Sequence, residues 1–288
     1  MVLTLAAPRP EALERAIAGL PAPERIETLE PGLVEDWIYP ETAPEAGDLR
    51  ARLADAPVDY AWQPLHGRLK RLLVADMDST IIACEGIDEL ADLAGVKSQV
   101  SAITERAMRG ELPFEAALEA RVALLAGVGR EAALALVQER GQLTPGARTL
   151  VRTMRAHGAR CVLISGGFTL FAAPTAAAAG FDAFAANALE ERDGVFTGRL
   201  AGPILGREAK RARLLEECAA LGVTPAEAAA VGDGANDRAM IETAGLGCAY
   251  YAKPVLAELA DAHIRHGGLE SLLWFQGLPR SAWRVSAD

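Results

Sequence analysis

The stretch "LLVADMDST", Leu72–Thr80, runs an apolar segment straight into two aspartates that stand two positions apart. An uninterrupted apolar run suits a strand buried on both faces of a parallel sheet. Ligands of open α/β sheets bind just beyond the carboxyl ends of such strands, which is where Asp76 and Asp78 fall. In extended chain their side chains point to the same side. Like charges that close are unfavourable unless a cation joins them or one carboxyl keeps its proton. The rest of the chain has to supply that cation, or the pair is only a polar turn.

Strand-type runs recur downstream at Cys161–Ser165, Ala183–Asn187, Ala228–Asp233 and Gly247–Tyr250, alternating with helical segments. This alternation predicts an α/β fold with a doubly wound, Rossmann-like parallel sheet. Between the first strand and the second, helical periods at Ile87–Leu93, Gln99–Met108, Phe114–Leu125 and Arg130–Arg140 are punctuated by Gly95, Gly110 and Gly127. The block reads as a helical cap inserted at about 84–144. In "ERDGVFTGRL", Glu190–Leu200, the Asp193-Gly194 pair predicts a hairpin turn.

Upstream, the pattern gives a strand at Val2–Leu5, a helix at Arg9–Gly19, strands at Arg25–Leu29 and Val34–Tyr39, a helix at Ala46–Leu53 and a strand at Asp59–Trp62. The order β-α-β-β-α-β predicts a small α+β unit of ferredoxin-like type over 1–68, ahead of the sheet domain at 69–288. The basic stretch His66–Arg71 reads as a linker or as the solvated entry to the next strand.

Length and composition fit this division: 288 residues, 51% apolar and 24% charged. A net charge of −10 argues against nucleic acid and anionic membrane as partners, and leaves room for a small anionic ligand held by a local cation. The four cysteines, Cys84, Cys161, Cys218 and Cys248, form no CxxC pair and read as reduced, buried thiols of a cytoplasmic protein. The opening "MVLTLAAPRPEALERA" lacks the basic flank and the apolar length of a secretory signal. The uncharged segment Cys161–Phe181 contains Gly166-Gly167 and Pro174, and fits a strand, a turn and a helix better than a membrane span.

Three more features could carry chemistry. "VGDGAND", Val231–Asp237, ends a strand in Asp233, Asn236 and Asp237, a set of hard oxygen donors suited to a cation such as Mg²⁺. "LISGG" ends another in Ser165, Gly166 and Gly167, a cradle for phosphate if a helix starts there. Lys210, in "REAKRARLL", offers a positive charge. Taken singly, each has a structural reading as a polar turn, a capped helix, an N-cap or a solvated face.

In this order around an α/β pattern, the four resemble the haloacid dehalogenase-like hydrolases. "DMDST", "EGIDELA", "FEAALEARVALL", "LTPGA", "VLISGGFT", "VGDGANDRAM" and "AKP" look most like the branch of that family acting on phosphoserine, over about Leu72–His266. The resemblance implies Mg²⁺-dependent hydrolysis of O-phospho-L-serine through an aspartyl-phosphate, the last step of serine biosynthesis. By the same resemblance Asp76 is the nucleophile and Asp78 the general acid and base. Mg²⁺ would be held by the Asp76 side chain, the Asp78 carbonyl and Asp233, supported by Asp237. Lys210 would balance charge, and Ser165, Gly166 and Asn236 would hold phosphate. Glu85 and Arg121 match the positions that meet the substrate's ammonium and carboxylate, and Met108 and Phe114 those that cover it. From spacing alone the cap residues read as a helix cap, a surface charge and cap core. The N-terminal unit resembles small ACT-like domains, with a packing or homodimer-forming role expected. Two other readings stay open: phosphoryl transfer to a small alcohol such as homoserine, and a non-catalytic amino-acid sensor.

Overall fold

The computed structural model describes residues 1–40 and 44–285, apart from the side chains of Met108 and Arg207. Its N-terminal part contains β1 (Val2–Ala6), α1 (Pro10–Ile17), β2 (Arg25–Glu30), β3 (Val34–Ile38), α2 (Ala46–Leu53) and β4 (Asp59–Gln63). The four strands lie antiparallel in the order β2-β3-β1-β4, the ferredoxin-like order read from the sequence. Alternation divides the sheet into two apolar faces. Leu3, Leu5, Trp37 and Tyr60 pack with Leu13 of α1 and Leu49 and Leu53 of α2, while Ala6, Val34 and Ala61 join the main core of the molecule.

The second part begins with β5 (Leu72–Ala75), all of it buried, followed by a wide turn over Met77–Ile81. Then come α3 (Gly86–Leu93), α4 (Lys97–Met108), α5 (Phe114–Ala123), α6 (Arg130–Arg140) and α7 (Ala147–Ala156). The remaining elements are β6 (Arg160–Phe168), α8 (Thr169–Ala179), β7 (Ala183–Arg192), β8 (Val195–Ala201), α9 (Arg207–Leu221), β9 (Ala228–Gly232), α10 (Arg238–Thr243), β10 (Leu246–Tyr250), α11 (Pro254–Ala257), β11 (Ala262–Ile264) and α12 (Ser271–Phe275). Strands β11-β10-β9-β5-β6-β7 run parallel in that order, with β8 antiparallel on the β7 edge. Because β6 lies to one side of β5 and β9 to the other, the winding reverses at β5. Its carboxyl end is therefore the crevice where such sheets bind ligands.

Helices α3–α6 form the inserted cap. They rest on the β7–β8 hairpin, where the Arg130 amide donates to the Gly194 carbonyl (2.9 Å) and the Gly127 amide to that of Phe196 (2.8 Å). The hairpin turns at Asp193 and Gly194, both at positive φ (52° and 79°), as the Asp-Gly signal requires. The uncharged segment after Cys161 is β6 and α8, and among the described residues no helix is long and apolar enough to cross a membrane. The cysteines are free thiols, with Cys84 half-buried rather than buried.

Two features differ from the sequence reading. The N-terminal sheet does not stop at β4: β4 pairs antiparallel with β11, setting Tyr60 against His263 and Ala61 against Ala262, so one sheet of eleven strands runs through both parts. The His66–Arg71 stretch is solvated only in part, because two of its cations are fastened to the protein. Arg68 donates to both oxygens of Asp36 (2.6 and 3.0 Å), to Thr4 and to the carbonyls of Trp274 and Phe275. Lys70 is buried and donates to the Gly67 and Ala226 carbonyls. A chain that must cross from one sheet face to the next uses its cations to fasten the crossing.

Candidate active site

The carboxyl ends of β5, β6 and β9 bring Asp76, Ser165 and Asp233 together, and α9 adds Lys210 from the side. Asp76 leaves β5 in extended conformation, and its amide still donates to the Val231 carbonyl of β9 (3.0 Å). Lys210, 1% exposed, donates from Nζ to Asp76 Oδ1 (2.5 Å) and to Asp237 Oδ1 (2.6 Å). Burial alone would lower the lysine's pKa, but the Asp237 and Asp76 carboxylates raise it above the ordinary value, so it stays an ammonium. Lys210 is the cation the opening motif lacked.

One ammonium does not balance the site. Oxygens of Asp76, Asp233 and Asp237 all lie within 4.8 Å of one another. Burial, then the nearby charge of Asp237, raises the Asp76 pKa well above the carboxylate range, and the same two causes lift Asp233 to about 6. Asp237 differs from the other two. Its Oδ2 accepts the amides of Asp233 (3.2 Å) and Gly234 (3.1 Å), so it braces the loop. A Cβ at Gly232 would stand 2.4 Å from the Asp237 carboxyl carbon, which is why the strand ends in glycine there. By contrast, Asp76 Oδ2 accepts no hydrogen bond among the described residues, and Asp233 has only its own amide and Lys253 Nζ, mostly exposed, at 4.0 Å. Bare, hard carboxylate oxygens in excess of positive charge fit a divalent cation.

Asp78 sits on the turn beside this cluster and is not part of it. Its Oδ1 accepts the Gly86 amide at the start of α3 (2.8 Å), and its Oδ2 accepts the Ser165 hydroxyl (2.9 Å). Burial raises its pKa, and these donors only partly offset the shift. The acid is therefore tied both to the sheet and to the base of the cap. A Cβ on Gly167 would fall 2.6 Å from Asp78 Oδ2, so only glycine fits beside it. Ser165 was expected at a helix N-terminus. Instead β6 continues to Phe168 with a register shift between Ile164 and Phe168, and the Ser165 hydroxyl accepts the Gly167 amide (2.8 Å). The cradle is a bulge in a strand rather than a helix cap.

Of the cap residues, Phe114 and Glu85 stand beside this cluster. Phe114 lies over the cradle, its Cζ 3.5 Å from where a Cβ on Gly166 would stand. Glu85 precedes α3 and caps nothing with its side chain; its Oε1 accepts the hydroxyl of Ser79, a residue held at positive φ (54°) in the turn. Glu85 is exposed at the rim, where partial desolvation and then the charge of Asp78 push its pKa up to about 7. Arg121 reaches only neutral acceptors, the Ala117 carbonyl (3.2 Å) and the Thr104 hydroxyl (3.4 Å). Burial lowers its pKa, and the charges of Asp88 and Glu85 act the other way. A half-buried guanidinium with no carboxylate in ion-pair range among the described residues can accept one from a ligand. Asn236 is half-buried on the Asp233 loop, its carboxamide folded over Gly234. The Met108 side chain lies outside the described residues.

Sequence reasoning missed Ser79, Lys253 and Asn187. The first two stand inside motifs already singled out, "DMDST" and "AKP", while Asn187 lies at the limit of the expected third strand with no motif of its own.

The chain has relatives among known proteins. The haloacid dehalogenase-like hydrolase family model matches residues 73–242. A Mycobacterium tuberculosis protein, phosphoserine phosphatase SerB2, is 46% identical over 229 residues, covering 79% of this chain and 56% of its own length. The chain thus spans little more than half of that relative. A solved structure of a probable phosphoserine phosphatase from Vibrio cholerae superposes with a TM-score of 0.78 at 31% identity, covering 98% of this chain and 87% of that one. A structure of a phospho-aspartyl intermediate analogue of phosphoserine phosphatase matches with a TM-score of 0.66 at 36% identity, covering 72% of this chain and 98% of that one. On sequence, fold and the placing of its acidic cluster, the chain belongs to the haloacid dehalogenase-like hydrolases.

Proposed function

We propose that this protein is a phosphoserine phosphatase, hydrolysing O-phospho-L-serine to serine and phosphate with Mg²⁺ bound at Asp76 and Asp233. The observation that carries the reading is the division of labour at Asp76. Lys210 fixes one carboxylate oxygen, and the other is bare at the switch point of the sheet. A fixed, desolvated carboxylate with one free oxygen is built as a nucleophile.

One Asp76 oxygen attacks phosphorus, the other staying with Lys210 and the cation, and the bond from phosphorus to the serine oxygen breaks, leaving an aspartyl-phosphate. Asp78, whose burial keeps a proton available, gives that proton to the departing oxygen. In the second half Asp78 takes a proton from water while the water oxygen attacks phosphorus, which frees phosphate and restores Asp76. Ser165, Gly166 and Asn236 orient phosphate oxygens, and Lys210 opposes the charge that builds on them. Asp76, Asp233 and the Asp78 carbonyl, braced by Asp237, would hold the cation, which would neutralise charge as an anionic substrate enters an anionic site. Arg121 and Glu85 take the carboxylate and ammonium of the serine moiety, with Met108 and Phe114 covering it. The N-terminal unit has a packing role, supported by the β4–β11 pairing.

The test is a screen of small phosphomonoesters with and without Mg²⁺, measuring free phosphate against any phosphorylated alcohol, with Arg121→Ala alongside. Phosphoserine should be preferred and phosphate released. Arg121→Ala should weaken kcat/KM for phosphoserine by roughly a hundredfold while sparing a phosphomonoester that lacks the amino-acid group. An unchanged Arg121→Ala would overturn the substrate assignment.

A further inference from the structure

The stretch of β6 that carries Ser165, Gly166 and Gly167 has no ladder partner. Pairing between β6 and β7 holds Ile164 against Ala185, breaks, and resumes with Phe168 against Asn187. Such a break releases main-chain groups from the sheet so that they can face a ligand, and it also leaves a carbonyl to be satisfied. The Asn187 side chain does this. It is buried, and its Nδ2 donates to the Gly166 carbonyl (2.8 Å).

The same carboxamide reaches a second segment. Asn187 Oδ1 accepts the Leu205 amide (2.7 Å), and Nδ2 lies 3.5 Å from the Leu205 carbonyl. Leu205 and Gly206 lead directly into α9, whose first turns carry Lys210. One side chain therefore spans the two segments that must meet a phosphoryl group from opposite sides: the cradle on β6 and the helix that brings the ammonium. Phe114 of the cap packs against both Gly166 and Gly206, so the span also underlies the cap's contact with the sheet. Asparagine suits the task because it donates and accepts from one rigid planar group and adds no charge beside an anion.

We propose that Asn187 is a positioning residue for the phosphoryl group, holding the Ser165–Gly167 bulge in register with Lys210. The proposal rests on the phosphatase reading above. It concerns the phosphate end of the substrate and not the amino-acid end, so its effects are common to every phosphomonoester the enzyme accepts.

The experiment compares full-length wild type, Asn187→Ala and Asn187→Asp in saturating Mg²⁺. It measures kcat/KM for phosphoserine and for p-nitrophenyl phosphate, inhibition by inorganic phosphate, and thermal unfolding. Asn187→Ala loses both arms of the span; Asn187→Asp keeps an acceptor for Leu205 but cannot donate to Gly166 as a carboxylate. Both should lose about a hundredfold in kcat/KM, by the same factor on the two substrates, with phosphate inhibition weakened at least tenfold in the folded enzyme. A folded Asn187→Ala enzyme within threefold of wild type on both substrates would overturn the proposal. So would a loss confined to phosphoserine, or one explained by the unfolded fraction with phosphate inhibition unchanged. If wild type turned over p-nitrophenyl phosphate but not phosphoserine, the substrate reading would fail while this one was still decided by the remaining measurements.

Discussion

The buried aspartates of this molecule fall into two groups among the described residues, and the groups are treated in opposite ways. At the seam between the N-terminal unit and the sheet domain, Asp59 is 2% exposed and accepts the amides of Arg265, His266 and Gly267 and the Ser271 hydroxyl. Asp36 nearby accepts Thr4 and a two-pronged Arg68. At the sheet's carboxyl end, Asp76 is 3% exposed and Asp233 9%, yet Asp76 shares one ammonium with Asp237 and keeps a bare oxygen, and Asp233 has only the exposed Lys253 ammonium at 4.0 Å. Carboxylates saturated by donors hold parts together. Carboxylates left short of donors keep binding capacity for something else, at a cost to stability.

Substitution should therefore separate activity from stability. The largest expected effect is on activity: Asp76→Asn should lower kcat/KM by about 10⁴-fold or more, with a melting temperature equal to or above wild type, since an excess buried charge is removed. Kinetics and a thermal melt on one preparation check this. A collapse in melting temperature would break the contrast between the two places.

At the seam the order reverses. Asp59→Ala strands three main-chain amides and should cost about 3 kcal/mol in denaturant unfolding, with kcat/KM of the folded enzyme within threefold of wild type. A large activity loss in the folded variant would mean that the seam does more than pack.

An effect confined to acid, and absent at neutral pH, comes from His263, which stacks on Tyr60 across the same seam with ring centroids 4.5 Å apart. Burial, then the nearby charges of Arg265 and Arg50, lowers its pKa from 6.5 to about 4. A group with a depressed folded pKa takes up its proton first in the unfolded chain. Stability from neutral His263 is thus present above pH 6.5 and is lost as pH falls toward 4, by up to about 3 kcal/mol. Asn or Gln at 263 should flatten that part of the stability profile, and an unaltered profile would remove the histidine from the account.

Much of this was legible in the chain. Each strand of the parallel sheet that bears on the site is a short apolar run, and Asp76, Ser165 and Asp233 each stand towards the end of one, so those motifs placed themselves at a single edge. The Asp-Gly hairpin and the β-α-β-β-α-β order came from turn chemistry and periodicity, which are local. The β4–β11 pairing was not legible, because β11 is three residues long and its partner lies in another part of the chain. For the same reason Arg68 looked solvated when its acceptors, Asp36 and the carbonyls of Trp274 and Phe275, are far away in sequence. Asn187 shows the same limit inside the site: its importance comes from a break in strand register, which residue types do not announce.

The seam also has a consequence for biosynthesis. The hydrogen bond from the His266 amide to Asp59 links residues 207 positions apart, so β4 is synthesised long before its partner. Until β11 emerges, β4 presents an open edge to every other nascent chain in the vicinity. That edge spans only five residues and carries Asp59 and Gln63 at its ends, features that discourage pairing with strangers during the wait. Closing it waits on residues 207 positions downstream, so slower synthesis should lengthen the time for which β4 stays open.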